Sequence, residues 1–193
     1  MSYEEPSYTV AGRAGPVEFR RYEPSLAAET LVEGIDDFDQ AGNEGFRRLF
    51  RYIAGGNTRQ SRIAMTVPVA QAPAKRESEK IAMTVPVQQT HSGGGWRIAF
   101  MVPGQYTLET APTPSDSRVR VVEVPGRLMA VLRYAGRWTE RNYQGQRAEL
   151  LERLAVAGVA TLGEPRLARY NGPLSLPMFR RNEVQVEVER APD

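Results

Sequence analysis

A chain of 193 residues, 41% hydrophobic and 25% charged, suits one domain that buries roughly 70% of the surface its unfolded form exposes. It has no cysteine and one histidine, which excludes disulfide scaffolds, thiolate metal sites, cysteine nucleophiles and any metal site built from two imidazoles. A formal net charge of +2 is too small to imply a nucleic-acid partner.

The segment Met1 to Tyr8 is acidic with no apolar core, so it does not read as a secretory signal. No apolar run approaches the roughly 18–20 residues of a membrane-spanning helix, and the protein expected is soluble and cytoplasmic. Val17 to Tyr22 and Leu26 to Thr30 carry strand-type residues on either side of Pro24, as a hairpin-like pair. From Phe38 the period changes, and Phe38, Ala41, Phe46, Leu49, Phe50 and Ile53 fall at helical spacing. Asp36 or Asp37 can accept the free N–H groups at the start of this helix, and Gly55-Gly56 supplies a left-handed stop. Gly42 and Gly45 each weaken a helix by about 1 kcal/mol against alanine, which points to close packing or a ligand's approach there.

The most specific feature comes next. Ile63-Ala64-Met65-Thr66-Val67-Pro68-Val69 returns unchanged, 18 positions later, as Ile81-Ala82-Met83-Thr84-Val85-Pro86-Val87. The alternation within each copy predicts a half-buried strand that ends, bulges or lies on an edge near its proline. Ala70 to Lys80 reads as the exposed loop between them, and Trp96 to Val102 as a strand after the loop His91-Ser92-Gly93-Gly94-Gly95. Val119 to Val124 and Leu128 to Tyr134 make a second hairpin about Pro125-Gly126. A helix from Thr139 carries Tyr143, Leu150, Leu151, Leu154 and Ala155 on one stripe and stops at Gly158, and Arg166 to Tyr170 and Glu183 to Val188 close the chain as strands. The order strand-strand-helix-strand-strand thus occurs twice, over about 8–110 and 115–190, joined at Pro112 to Pro114. One such half leaves a sheet face and a helix stripe uncovered. The fold class expected is therefore α+β, a single domain over 1–193: a distorted antiparallel β-barrel with two flanking helices, built from a pseudo-twofold internal duplication.

Few residues suggest chemistry. His91 lies among serine and glycine and reads as a solvated loop residue, not as an iron ligand or a base. There is no Gly-x-Ser-x-Gly elbow and no glycine loop opening a helix as a phosphate cradle. Asp36-Asp37 suits helix capping, and Glu149 with Arg153 an i,i+4 pair. Glu183 follows Arg180-Arg181-Asn182 and either pairs with one of those arginines or faces a cavity. Arg47, Arg48 and Arg51 on the first helix, with Arg59 and Arg62 after it, form either a solvated face or anion clamps at the rim of an apolar slot, since guanidinium forks suit carboxylates. Met65, Met83, Met101, Met129 and Met178 fill a core or line a pocket for a flat apolar ligand. Tyr170 to Phe179 is a proline-stiffened loop with large apolar side chains, the best candidate for a lid.

From Val17-Glu18-Phe19-Arg20-Arg21-Tyr22-Glu23 to Arg180-Arg181-Asn182-Glu183-Val184, these motifs resemble the SOUL/haem-binding protein family. The resemblance is carried by the two Ile-x-Met-Thr-x-Pro-Val segments, the helix end Phe50-Arg51-Tyr52-Ile53-Ala54-Gly55, and the Tyr-Asn-x-Pro stretch that leads to Arg-Arg-Asn-Glu. It implies a non-enzymatic carrier or buffer that binds haem or another tetrapyrrole without covalent attachment, in an apolar groove between the first helix and the 170–180 loop. Carried onto this chain, it implies contacts from Phe50, Ile53, Met65, Met83, Tyr170, Leu174, Leu176 and Met178, with Arg51 and Arg62 towards the propionates. The chain departs from the family where some members are proposed to ligate iron through a histidine near the first helix, because that region has none here. Tyr52, Tyr170 or a methionine is left as a ligand and the spacing selects none, so weak or reversible binding with little preference for iron is expected. Two other readings compete. One is an effector-binding module in which Glu183 meets an amphipathic cation, and the other is an enzyme that acts on haem. No nucleic acid and no membrane span are expected among the partners.

Overall fold

Eleven strands and two long helices form over the residues that the computed structural model describes, 3–59, 78–172 and 174–192. Strands β1 (Tyr8–Ala14), β2 (Val17–Tyr22) and β3 (Ser25–Glu33) precede helix α1 (Phe38–Ile53). Strands β4 (Asn57–Thr58), β5 (Val87–Ser92), β6 (Gly95–Met101), β7 (Thr113–Pro114), β8 (Val119–Val124) and β9 (Arg127–Tyr134) lead to helix α2 (Glu140–Val156). Strands β10 (Arg166–Arg169) and β11 (Asn182–Glu187) follow. Nine strands join in one antiparallel sheet in the order β1-β2-β9-β11-β10-β5-β6-β3-β8, while β4 and β7 pair separately. The sheet curls into a half-barrel with β1 and β8 as its edges. About the β10–β5 seam the order is mirrored: the first sheet strand after each helix, the last strand of each half and the strand before each helix take matching places.

Period two assigns the sheet's faces. Val17, Phe19, Leu128, Ala130, Leu132, Leu167, Val184 and Val186 join the main core with residues of both helices. The alternate residues of the same strands, Arg20, Tyr22, Met129, Val131, Ala168, Tyr170, Glu183 and Gln185, are also buried but point to the other face. Helix α1 packs on β3, β6 and β8, and α2 on β9 and β11. Phe38 of α1 stacks on Tyr143 of α2 at 5.5 Å, so both helices cover the same face.

The start of α1 is capped as expected, with Asp37 accepting from the Gln40 N–H at 2.8 Å. Gly55, at φ +113, follows its end, and α2 is capped by Thr139, with Gly158 at φ +65 beyond its end. Of the predicted α2 stripe, Tyr143, Leu150 and Leu154 are buried, whereas Ala155 is exposed. The two helical glycines are explained by close packing. A Cβ at Gly45 would lie 2.6–2.7 Å from Ile98 side-chain carbons, and one at Gly42 would lie 2.7 Å from Gln89 Oε1. Gly45→Ala is expected to lower stability by up to about 2 kcal/mol. Crowding Ile98 costs about 1–3 kcal/mol, against the gain of about 1 kcal/mol from alanine in a helix. A denaturation midpoint equal to or above the parent's would contradict this.

Four local expectations are corrected. The segments flanking Pro24 do not pair with each other, nor do those flanking Pro125-Gly126; β2 pairs with β9 and β3 with β8. The two corners pack together instead, since a Cβ at Gly126 would lie 3.1 Å from the Tyr22 carbonyl oxygen and 3.3 Å from Pro24 Cδ. The second heptapeptide copy becomes strand only at Val87. Its earlier N–H groups are taken elsewhere, Ile81 donating to Ile53 O (2.8 Å) and Val85 to Glu4 O (3.0 Å), while Pro86 has none to give. The first copy, 63–69, with most of the loop after it, lies outside the described residues. His91 belongs to β5, not to a loop, and β1 is an edge strand whose residues are mostly exposed and so carry no alternation to find it by.

Candidate functional site

The 170–180 loop leaves β10 at Tyr170 and is pinned at its base. Asn171 Oδ1 accepts from the Arg181 N–H (2.6 Å), Gly136 N–H donates to Pro177 O (3.0 Å), and Arg180 Nε donates to Ser175 O (2.9 Å) while its guanidinium lies 4.1 Å over Trp138. From this base Leu174 (98% exposed), Leu176 (59%), Met178 (69%) and Phe179 (73%) project into solvent.

The predicted contacts on α1 form a second group. Phe50 is half-exposed and stacks on Phe46 at 5.9 Å, Arg51 beside it is exposed, and Ile53 is buried in the core. The loop's base reaches the other end of this helix, because the Arg169 guanidinium lies 5.4 Å from the Trp138 ring and 5.6 Å from Phe38, the first residue of α1. Phe50 and Ile53 are about 18–23 Å further along at 1.5 Å per residue. Tyr170 and Ile53 are core residues and Met83 packs half-buried against the core, while Arg62 and Met65 lie outside the described residues. Arg47 and Arg48 both pair with Glu44 at 2.9 Å, and Arg59 pairs with Glu79 at 3.5 Å, so these three are engaged locally. Sequence reasoning named Phe46 only in the helix stripe and Phe179 only within the loop, and passed over Trp138, whose one signal was a bulky ring beside Thr139.

The two tyrosines proposed for iron are committed elsewhere, whereas Met178 stands exposed on the loop. Tyr52 is buried and its hydroxyl donates to Pro112 O at 2.8 Å; burial pushes the phenol up to about 12. Tyr170 donates to Glu183 Oε2 at 2.7 Å, and burial together with the Glu183 charge pushes its phenol far above the usual range. Neither is disposed to become a phenolate ligand. His91 is exposed, its ring edge-on to Trp96 at 5.1 Å. Among the described residues no three His, Asp or Glu side chains gather as a metal site. The exposed apolar side chains of the loop are chemically suited to a flat apolar ring, and the tyrosines do not fit as iron ligands.

On the helix-free face, Glu183 is fully buried. Arg20 donates to both its oxygens at 3.1 Å, Arg181 Nε and Nη2 to Oε1 at 3.1 and 3.0 Å, Tyr170 to Oε2 at 2.7 Å and Gln185 Nε2 to Oε2 at 2.8 Å. Burial pushes the carboxyl up, but the charge of Arg20, the Tyr170 hydroxyl and the charge of Arg181 more than offset this and hold it below its ordinary value. Arg20 is the partner the sequence did not indicate, although period two from Val17 places it on the face it shares with Tyr22. A cleft of about 720 Å³ at the end of the sheet is ringed by Glu4, Glu5, Glu23 and Glu123 and would repel propionates; the predicted contacts do not line it.

The sequence pattern of the family described as SOUL heme-binding protein matches residues 3–187. Heme-binding protein 1 of Xenopus laevis is 26% identical over 167 residues, which are 86% of this chain and 80% of that protein. Heme-binding protein 2 of Homo sapiens is 37% identical over 73 residues, 36% of this chain and 35% of that one. Among solved structures, the C-terminal domain of EcmrR superposes with a TM-score of 0.58 over 95% of this chain and 99% of that one at 10% identity, a likeness of fold alone. With a curled antiparallel sheet, two helices on one face and a family match over nearly its whole length, the chain belongs to the SOUL heme-binding protein family.

Proposed function

We propose that the protein binds haem or a related tetrapyrrole reversibly and without a covalent bond, as a carrier or buffer and not as an enzyme. The observation that carries this reading is the pinned loop, on which Leu174, Leu176, Met178 and Phe179 stand 59–98% exposed. Covering one such side chain is worth about 1.5–3 kcal/mol, so a flat apolar ligand laid on the loop gains several kcal/mol. Membership of the family supports a tetrapyrrole as that ligand. Phe50 and Arg51 lie about 18 Å along α1 from the point the loop's base reaches, so they stay outside the proposed contact. Iron adds little, because Tyr52 and Tyr170 are engaged as donors. We also propose that the halves, about 8–110 and 115–190, descend from one duplicated unit, which the mirrored strand order supports.

The test is a parallel titration with haemin, protoporphyrin and a cationic dye, followed by absorbance and fluorescence quenching. Both rings are expected to bind within about tenfold of each other, a difference under 1.4 kcal/mol. The Leu176→Ser/Met178→Ser variant is expected to lose at least about tenfold for both at an unchanged melting temperature, because these side chains are exposed. Undiminished binding by the variant rejects the loop as the site. Failure of both rings to bind rejects the function, and a six-coordinate haemin spectrum abolished by His91→Ala rejects binding without iron ligation. The competing cation module needs a free Glu183 carboxylate, whereas here two guanidiniums already neutralise it. Dye binding that is lost in Glu183→Gln while porphyrin binding persists would restore that alternative.

A further inference from the structure

The helix-free face of the sheet encloses a hollow of about 410 Å³, within the roughly 300–1,000 Å³ of small-molecule sites. Its apolar lining comes from both halves of the sheet, Ala27, Ala99 and Val124 on one side and Met129 and Leu162 on the other, with Arg166 between them, while Gln88, Thr90, His91 and Ser92 of β5 make the rest of the lining polar. Arg166 opens β10 opposite Gln185, and period two turns it, like Ala168 and Tyr170, away from the helices.

Nearly every charge around this hollow already has a partner. Glu29 takes Arg120 at 2.9 Å and Arg97 at 3.7 Å, Glu187 takes Arg127 at 3.1 Å, and Glu164 takes Arg147 at 2.9 Å. Arg166 is the exception. Its Nε donates to Gln185 Oε1 at 3.2 Å, and among the described residues no carboxylate lies within ion-pair distance and no acceptor takes its terminal nitrogens. Arg166 is half-buried, and withdrawing a guanidinium even partly from water without a counter-charge is unfavourable. Burial, followed by the charge of Arg127, lowers its pKa to about 10, so it remains a cation at neutral pH. A half-buried fork without a carboxylate partner, set in a concave site of mixed polar and apolar lining, suits an anion.

We infer that this hollow binds a small organic carboxylate with a short apolar tail, its oxygens on the terminal nitrogens of Arg166 and its tail against Ala27, Ala99, Met129 and Leu162. Glu29, Glu164 and Glu187 at the margin disfavour a dianion, so a monocarboxylate is preferred to inorganic phosphate. The site lies on the face opposite the helices and is separate from the tetrapyrrole reading.

Calorimetry and thermal denaturation at fixed ionic strength, with hexanoate, inorganic phosphate and hexylammonium as probes, test the assignment. Hexanoate is expected to bind saturably by about 10 mM, in the range one ion pair and a short tail support, and to raise the melting temperature. Arg166→Gln is expected to weaken hexanoate at least about tenfold, and Arg166→Lys, which keeps the charge but loses the fork, to bind with intermediate affinity. Without ligand, Arg166→Gln is expected to be at least as stable as the parent, because it removes an unpaired charge. Arg97→Gln is expected to keep hexanoate binding, and Arg166→Gln to keep the parent's haemin titration. Hexanoate binding unaltered in both Arg166 variants, or no saturation at all, overturns the site; phosphate or hexylammonium binding more tightly than hexanoate overturns the ligand class.

Discussion

Replacing Glu183 with alanine is expected to cost about 3–5 kcal/mol, the usual price of breaking a buried ionic cluster by removing one partner. The loss would leave Arg20, itself 5% exposed, with Glu18 as its one carboxylate, and take the carboxylate acceptor from Tyr170 and Gln185, while Arg181 would keep Glu5. That is a large share of the 5–15 kcal/mol that keeps a domain folded. Glu183→Gln keeps the shape and one acceptor oxygen, so a smaller loss is expected. The carboxylate also shapes the acid limb of the stability curve. Its folded pKa lies below the ordinary 4.5, so its contribution is complete above about that pH and disappears as pH falls through the lower, folded value. Glu18 adds to the same limb, because burial raises its pKa but the hydrogen bonds and charges of Arg20 and Arg13 lower it further. Urea midpoints are expected to stay level from neutral pH to about 5 and then drop, with a shallower drop in Glu183→Gln. An alanine variant within about 1 kcal/mol of the parent, or acid limbs of equal slope, would show that the cluster does not hold this face together.

Phe38→Ala is expected to cost about 3–5 kcal/mol as well, for a different reason. Phe38 is fully buried where three elements meet: its ring lies edge-on to Trp96 of β6 at 5.2 Å and stacks on Tyr143 of α2 at 5.5 Å. Its carbonyl accepts from Gln89 Nε2 of β5 at 2.9 Å, and the Tyr143 hydroxyl ties α2 to Pro165, just before β10, at 2.7 Å. Truncation opens a cavity that these neighbours, fixed by their own bonds, cannot close. The loss is expected to be equal at pH 5 and pH 8, unlike an effect carried by a titrating group, and to be accompanied by a shift in tryptophan emission. A cost below about 1.5 kcal/mol would mean that the two helices are joined elsewhere.

Local signals were legible where the cause is local. Most of the α1 stripe, a cap at Asp36 or Asp37, the start of α2 at Thr139 and the glycines beyond each helix depend on neighbours within a turn; the structure selects Asp37 for the cap and leaves Phe50 of the stripe half-exposed. Faces were less legible: Val17, Phe19 and Tyr22 were read together, yet Tyr22 lies on the face opposite the other two. Partner choice was not legible. Pro24 and Pro125-Gly126 look like hairpin turns in the chain, but a corner and a hairpin share the same turn residues, and only the packing of the two corners exchanges their strands. The second Ile-Ala-Met-Thr-Val-Pro-Val copy alternates like a strand, yet its N–H groups are claimed by α1 and the segment at Glu4.

The sites divide in the same way. The apolar loop and the family motifs are contiguous stretches, so the residues alone determined the family, the α+β class and the loop as a candidate contact surface. Only the tertiary structure decided that Glu183 is neutralised by Arg20 from 163 residues away, that α1 and the loop base meet at Phe38 and not at Phe50, and that Arg166 stands without a counter-charge. Charge compensation and ligand geometry depend on distances across the sheet, and a linear pattern records which face a side chain takes without recording what the facing strand brings to it.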